Sequence, residues 1–467
     1  MDNFQLNIDI YFVVDIFQSR LFVVDHHNDN NNFNRLIQVF IYKFIKMAAD
    51  GCPVLHVEIL QKMNSTMVEK ILIKEVGSFL QEKKNISVDS IIKDFPMSLL
   101  NDHIVHIRIC ELDSACNMKC VDISMTQPQY HIYQLESYGP SIEEMNEGEE
   151  DIAAASYWML PATEFEDLWE NLIYDTPIKE QLLKFVRTTL LFSDRGLNKN
   201  IISWNKVILL YGPPGTGKTS LCKALAQKLS IRLDSRYKYA QFVEINSHSL
   251  FSKWFSESGK LVQKMFGKIA ELADDHALLV IVLIDEVESL TRARESSSKG
   301  LDPSDAVRVV NAVLTQLDQI NKYPNVLIVT TSNISGTLDL AFVDRADIKQ
   351  YVGLPSQAAI YQIYYSCIAE LRRIGIILDS ELLFTLQDLQ CTNMILKEVT
   401  KLSLLLWEIA GQSVGFSGRT LRKIPFLAHA LHADSPVVSS PRFLSAMQMA
   451  VLKQKEDKLQ ISVPDSC

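Results

Sequence analysis

The chain is poor in the features that would place it outside the cell, in a membrane or on nucleic acid. Cysteine is scarce, 8 in 467 residues, and no C-x-x-C pair occurs. With no secretory signal, so few thiols fit a reducing compartment better than a disulfide scaffold. Long apolar runs are missing too. The stretch from Ile8 to Val24 is broken by Asp9, Asp15 and Arg20, which is too much charge for a membrane span, and no basic segment precedes it. Positive charge is also in deficit, with 46 Lys and Arg against 56 Asp and Glu and a net charge of −10. That balance argues against a general nucleic-acid or anionic-membrane binder, since both need a basic footprint. His103, His106, Cys110, Cys116 and Cys120 crowd one stretch, but their spacing is poor for zinc, and Ile104, Ile107 and Ile109 interleave with polar residues as a strand would.

What is present suits an ordinary globular protein of two to four compact units, 47% apolar and 22% charged. Residues 1–46 read as a low-complexity leader containing the cluster His26 to Asn32, and Met47 is expected to be the working start. Residues 47–140 read as a small α+β domain with strands near Val54–Ile59, Ile104–Cys110 and Tyr130–Leu135. Between the first two, Val68, Leu72, Val76, Phe79 and Leu80 recur at helical spacing. With no catalytic constellation, this is expected to be a binding or adaptor-docking domain. Residues 141–160, acidic from Glu143 to Asp151, read as a solvated linker.

Residues 161–354 alternate strand and helix, the pattern of a parallel sheet covered on both faces. Strands are expected at Lys206–Tyr211, Gln241–Asn246, Ala277–Asp285, Val326–Thr331 and Ile348–Val352, and a helix capped by Ser304 carries the stripe Val307, Val310, Leu314 and Leu317. From 355 to 467 the alternation stops and helices follow. One is marked by Ile360, Ile363, Tyr364, Cys367, Ile368 and Leu371, with others near Met394–Ala410, Arg419–Leu431 and Arg442–Lys455.

Chemistry enters at Gly212, Pro213, Pro214, Gly215, Thr216, Gly217, Lys218 and Thr219, a complete G-x-x-x-x-G-K-[ST] phosphate loop after an apolar strand, with Ser220 opening a helix behind it. Glycines let successive N–H groups face one anion, and the helix adds its positive end. Lys218 reaches for β/γ-phosphates and the Thr219 hydroxyl suits magnesium. The strand ending Leu283-Ile284-Asp285-Glu286 places two carboxylates where burying charge is costly unless it is used. Asp285 is a second candidate ligand for magnesium, and Glu286 is placed to orient and deprotonate an attacking water. ATP and Mg²⁺ are therefore the expected cofactors.

These motifs, with Thr330-Thr-Ser-Asn333, Asp344-Arg345-Ala-Asp347 and Gly415-Phe-Ser-Gly-Arg419, occur in the order used by AAA+ ATPases, which the chain resembles. The resemblance implies that Asn333 is the sensor positioning the nucleophilic water, Arg345 an arginine finger acting on a neighbouring subunit, and Arg419 a second sensor in the lid. Asp344 and Asp347 are expected partners for the exposed Arg345 guanidinium. By the same resemblance Lys253, Trp254 and Phe255 form a pore loop that grips an extended peptide, the stretch from Arg292 to Pro303 forms a second, and Tyr174 and Asp175 stand where family members contact the base.

A narrower resemblance, carried by Asn311-Ala-Val-Leu-Thr-Gln-Leu-Asp318, the segment from Ala341 to Gln350 and the segment from Gly418 to Ala430, is to the pachytene checkpoint protein 2 family. It implies a homo-hexamer that remodels HORMA-domain proteins from closed to open, often through a HORMA adaptor. It further implies roles in spindle-checkpoint silencing and meiotic chromosome-axis control, hence a nuclear and cytoplasmic location at chromosomes and kinetochores, with no direct nucleic-acid or membrane partner. The competing expectations are a microtubule-severing enzyme, a nucleic-acid-directed AAA+ protein and a nucleotide-gated scaffold without turnover.

Overall fold

The computed structural model describes residues 52–83, 85–113, 120–145, 152–198, 201–246, 258–289, 303–333, 340–378, 381–391, 394–395, 397–433 and 435–462. The leader 1–46 with Met47, the pore-loop residues Lys253, Trp254 and Phe255, and nearly all of the second pore-loop stretch lie outside the described residues. The described residues fall into two compact units, one up to Ile59 with Thr66–Tyr130, the other Leu60–Ser65 with those from His131 onward. No described helix is long and apolar enough to cross a membrane.

From residue 52 to 133, β1 (Val54–Gln61), α1 (Glu69–Lys83), β2 (Asn85–Ser87), β3 (Ser90–Ile92), β4 (Ile104–Asp113), β5 (Cys120–Asp122) and β6 (Gln127–Tyr133) follow one another. The sheet order is β3-β4-β1-β6, and β2 pairs separately with β5. Leu55, Val57 and Ile59 alternate along β1 and are buried, as are Ile107 and Ile109 on β4. Leu72, Val76, Phe79 and Leu80 form the buried stripe of α1. Val68 does not belong to it: it precedes the helix and is 59% exposed.

The second unit is built on seven strands in the order β13-β9-β12-β11-β10-β8-β7. They are β7 (Ser141–Met145), β8 (Ile152–Leu160), β9 (Val207–Gly212), β10 (Tyr239–Asn246), β11 (Leu278–Asp285), β12 (Val326–Asn333) and β13 (Ile348–Tyr351). The five expected strands are all present and run parallel. The reading of residues 141–160 as a linker is corrected. Residues 141–145 and 152–160 form the antiparallel pair β7–β8, and β8 joins the sheet against β10 in the register Phe242↔Trp158. Trp158 is buried beside Phe165 and Phe242, with ring centroids 5.6 Å apart in each pairing.

A parallel sheet buried on both faces has strands that are apolar without alternation, because both sets of side chains need cover. Ile208 and Leu210 on β9, with Leu279, Ile281 and Leu283 on β11, pack toward α2 (Ile178–Asp194) and α3 (Lys218–Arg232). Val207 and Leu209, with Val280, Val282 and Ile284, pack toward α4 (Ser258–Ala273) and α5 (Pro303–Ile320). Val310, Leu314 and Leu317 of the expected stripe are buried there. The helix starts at Pro303, so Ser304 lies inside it and is not the cap; proline's fixed φ suits a first helical position.

The helix α6 (Leu340–Arg345) leads into β13. Beyond it α7 (Gln357–Arg373), α8 (Lys401–Gln412), α9 (Gly418–His432) and α10 (Ser440–Ser462) enclose a separate core of Ile360, Tyr364, Leu406, Leu421, Phe443 and Met447. The helix expected from Met394 starts later, at Lys401, after a 3₁₀ turn at Glu398–Thr400.

Candidate nucleotide site

The phosphate loop joins the carboxyl end of β9 to the amino end of α3. Gly215 and Gly217 take φ of +75° and +91°, backbone that other residues adopt only with strain. Gly215 also lies under the lid: a Cβ there would come within 2.8 Å of Ser417 Oγ and 3.3 Å of Arg419 Cβ. The Arg419 amide donates to Gly215 O at 3.0 Å, so the first turn of α9, capped by Ser417, meets the loop directly.

Lys218 is 5% exposed, and its Nζ donates to Gly212 O at 3.0 Å, Pro213 O at 2.8 Å and Asn333 Oδ1 at 2.7 Å. Burial holds the ammonium below the ordinary lysine range, partly offset by the carboxylates of Glu288, Asp285 and Glu286. A buried ammonium bonded to carbonyl and amide oxygens fits an incoming polyphosphate, which supplies the missing anion. Thr219 Oγ1 donates to Asp285 at 2.9 and 3.1 Å, bringing together the hydroxyl and carboxylate oxygens that a hard divalent cation takes. The residues present therefore fit ATP with Mg²⁺.

Glu286 adopts φ +55°, a left-handed backbone that costs an ordinary residue about 1–2 kcal/mol. The Asn333 side-chain amide donates to Glu286 Oε1 at 3.3 Å, so these two residues are in contact. Two further residues, to which sequence alone assigns no role, complete this end of the sheet. Glu288, 5% exposed, accepts the Asn333 backbone N–H at Oε1, 3.0 Å. Thr331 donates its hydroxyl to Asp285 Oδ1 and accepts the Glu286 backbone N–H at 3.1 Å. Thr331 sits in the Thr330-Thr-Ser-Asn motif, yet nothing in the spacing shows that its hydroxyl faces the neighbouring strand. Cys222, one turn into α3, is fully buried, and that burial raises its thiol well above the usual range.

Arg345 is elsewhere, beyond the amino end of β13. Its partner is neither Asp344 nor Asp347, which corrects the expectation. Nε and Nη2 each donate to an oxygen of Asp318 at 2.9 Å, and Nη1 donates to Ala341 O at 2.8 Å. Asp347 instead accepts the Asn205 N–H at 2.8 and 2.9 Å, and the Asn205 amide donates to Arg345 O at 3.0 Å. The Asp175 carboxylate accepts from the Ser356 hydroxyl and from the Ser356 N–H at 2.9 Å, fixing the start of α7. Tyr174 lies against the loop, its hydroxyl 3.4 Å from Gly217 O.

Comparison with known proteins bears on this arrangement. Residues 208–354 match the family model for the ATPase family associated with various cellular activities (AAA). Residues 50–138 match the TRIP13 N-terminal domain, and residues 356–455 the TRIP13-like AAA+ ATPase lid C-terminal domain. The chain is 53% identical over 411 residues to the pachytene checkpoint protein 2 homolog of Rattus norvegicus, covering 88% of this chain and 95% of the relative. It is 52% identical over 411 residues to that of Homo sapiens, with the same coverage. The solved structure of C. elegans PCH-2 superposes with a TM-score of 0.69 at 38% identity, covering 86% of this chain and 99% of that one. With an intact phosphate loop beside paired carboxylates, an AAA match over its centre and family-specific domains on either side, the chain is an ATP-hydrolysing enzyme belonging to the pachytene checkpoint protein 2 (TRIP13) family of AAA+ ATPases.

Proposed function

We propose that this chain works as a homo-hexameric ring that uses ATP hydrolysis to convert HORMA-domain proteins from a closed to an open state. Spindle-checkpoint and meiotic-axis HORMA proteins are the intended substrates, met through the N-terminal domain and a HORMA adaptor, at chromosomes and kinetochores in nucleus and cytoplasm. Family membership and the match of residues 50–138 to the TRIP13 N-terminal domain support this reading. The acidic balance supports a protein substrate over nucleic acid or membrane. Lys253, Trp254 and Phe255, outside the described residues, are assigned the grip on the substrate chain.

The observation that carries the ring is the position of Arg345. The Asp347 N–H bonds to Val207 O, which levels the finger with the amino end of β9, whereas the phosphate loop starts at its carboxyl end, Gly212. Five strand steps of about 3.3 Å put roughly 16 Å between those ends. Arg345 is therefore poorly placed for its own γ-phosphate and suited to a neighbour's, and a head-to-tail contact of that kind makes a ring where its rotation closes.

Within one site, Lys218 binds the β/γ-phosphates, and Thr219 and Asp285 would hold the magnesium ion. When bound, that ion neutralises charge on the phosphate oxygens. Glu286, oriented by Asn333, accepts a proton from the attacking water. Arg345 of the adjacent subunit stabilises the charge developing on the transferred group, and Arg419 couples the lid to the same nucleotide. Arg345→Ala is expected to keep ATP affinity within about threefold while lowering turnover on the order of 10³-fold. Near-wild-type hydrolysis by that variant would remove the trans assignment. In ATP, the Glu286→Gln variant should retain HORMA-domain proteins; retention of tubulin instead would redirect the substrate assignment.

A further inference from the structure

We infer that Thr331 is a positioning residue for hydrolysis, holding Glu286 in the backbone conformation from which it meets Asn333. Regular pairing of β11 with β12 ends at Ile284↔Thr330, so the carboxylates leave the ladder at the next residue. From there the turn is held by Thr331. Its hydroxyl accepts the Glu286 N–H at 3.1 Å and donates to Asp285 Oδ1, and its carbonyl accepts the Val287 N–H at 2.9 Å. One hydroxyl has one proton and two lone pairs, so a single oxygen can serve the backbone of one carboxylate residue and the side chain of the other.

The site cannot substitute water for that oxygen, because Thr331 is 1% exposed. Glu286 needs such a hold because its φ of +55° is not one a glutamate keeps unaided. Without the hydroxyl, the Glu286 N–H loses its partner and the residue is free to relax toward an ordinary backbone angle, carrying its carboxylate away from the Asn333 amide, now at 3.3 Å. A threonine on a central strand suits the task, since its branched Cβ is stiff at χ1 and aims the hydroxyl consistently.

The inference rests on Glu286 as the hydrolytic carboxylate, so Glu286→Gln is measured alongside. Thr331→Val keeps the volume and the β-branching and removes only the hydroxyl, and Thr331→Ser restores the hydroxyl without the methyl. In steady-state hydrolysis with thermal unfolding in parallel, Thr331→Val is expected to lower kcat at least about tenfold with KM for ATP within about threefold, and Thr331→Ser to recover most of the loss. Thr331→Ala must repeat the fall in kcat, which separates the missing hydroxyl from a packing fault peculiar to valine.

The inference is overturned if Thr331→Val stays within about twofold of the wild-type kcat, or if serine is as impaired as valine. It is equally overturned if the loss appears in KM alone, or vanishes on raising Mg²⁺, which would place the effect on Asp285. Wild-type turnover by Glu286→Gln overturns instead the reading beneath it.

Discussion

The two ends of the central sheet are built differently. At the carboxyl end Lys218, Asp285, Glu286, Glu288, Thr331 and Asn333 share donors and acceptors, and Lys218, Glu288 and Thr331 are almost wholly buried. At the amino end Arg345 and Asp318 face each other with side chains 29% and 55% exposed. Buried networks are rigid because water cannot replace a lost partner, while an exposed ion pair contributes only about 0–1 kcal/mol and is screened by salt. The first arrangement suits groups that must stay in place while a reaction passes over them. The second suits the role proposed for Arg345, which in a ring would give up its own-chain partner to a neighbour's nucleotide. Rigidity and transferability are thus divided between opposite ends of one sheet.

That contrast can be broken at either end. The largest effect on ATP binding is expected from Lys218→Ala, which removes a charge-assisted contact to phosphate and should weaken affinity roughly 100-fold by calorimetry. The same change removes three donated hydrogen bonds and also relieves a cation whose burial disfavours its charge, so the unfolding midpoint without nucleotide should shift only slightly. A large drop would mean that the ammonium serves folding more than binding.

Asp318→Asn is expected to change stability by less than about 1 kcal/mol in urea unfolding, as befits a half-exposed pair. A loss of about 3 kcal/mol would show the amino end to be held as firmly as the carboxyl end and abolish the distinction. The smallest effect concerns Cys222. Its raised thiol pKa lowers the thiolate fraction at neutral pH, so maleimide should label the exposed Cys52, Cys120 and Cys391 while Cys222 stays unmodified in peptide mapping. Labelling of Cys222 at the pace of the exposed thiols would show the carboxyl end opening readily.

Much of this was legible along the chain. The phosphate loop, the five parallel strands and the stripe on α5 follow from turn chemistry and apolar periodicity, which are local signals. The strand pair at 141–160 was not, and its composition explains why. Glu143 and Glu144 lie on the sheet's edge strand, where charge is tolerated, and Ala153, Ala154 and Ala155 on β8 give little apolar signal until Trp158. Charge on an edge strand and charge in a linker look alike in sequence. Asp318 escaped notice as the partner of Arg345 for another reason: it lies 27 residues away on α5, while Asp344 and Asp347 are immediate neighbours.

Sequence alone determined which groups the protein owns: a lysine behind a glycine turn, two carboxylates closing an apolar strand, and family motifs in order. These are properties of residue type and spacing, and they hold before the chain folds. Only the tertiary structure decided how those groups face one another. It aimed Thr331 at the Asp285 carboxylate and the Glu286 backbone, braced the Ser356 cap of α7 with Asp175, and set Arg345 at the opposite end of the strands from Lys218. Such relations depend on strand register and helix docking, which arise when distant segments bury one another's apolar faces.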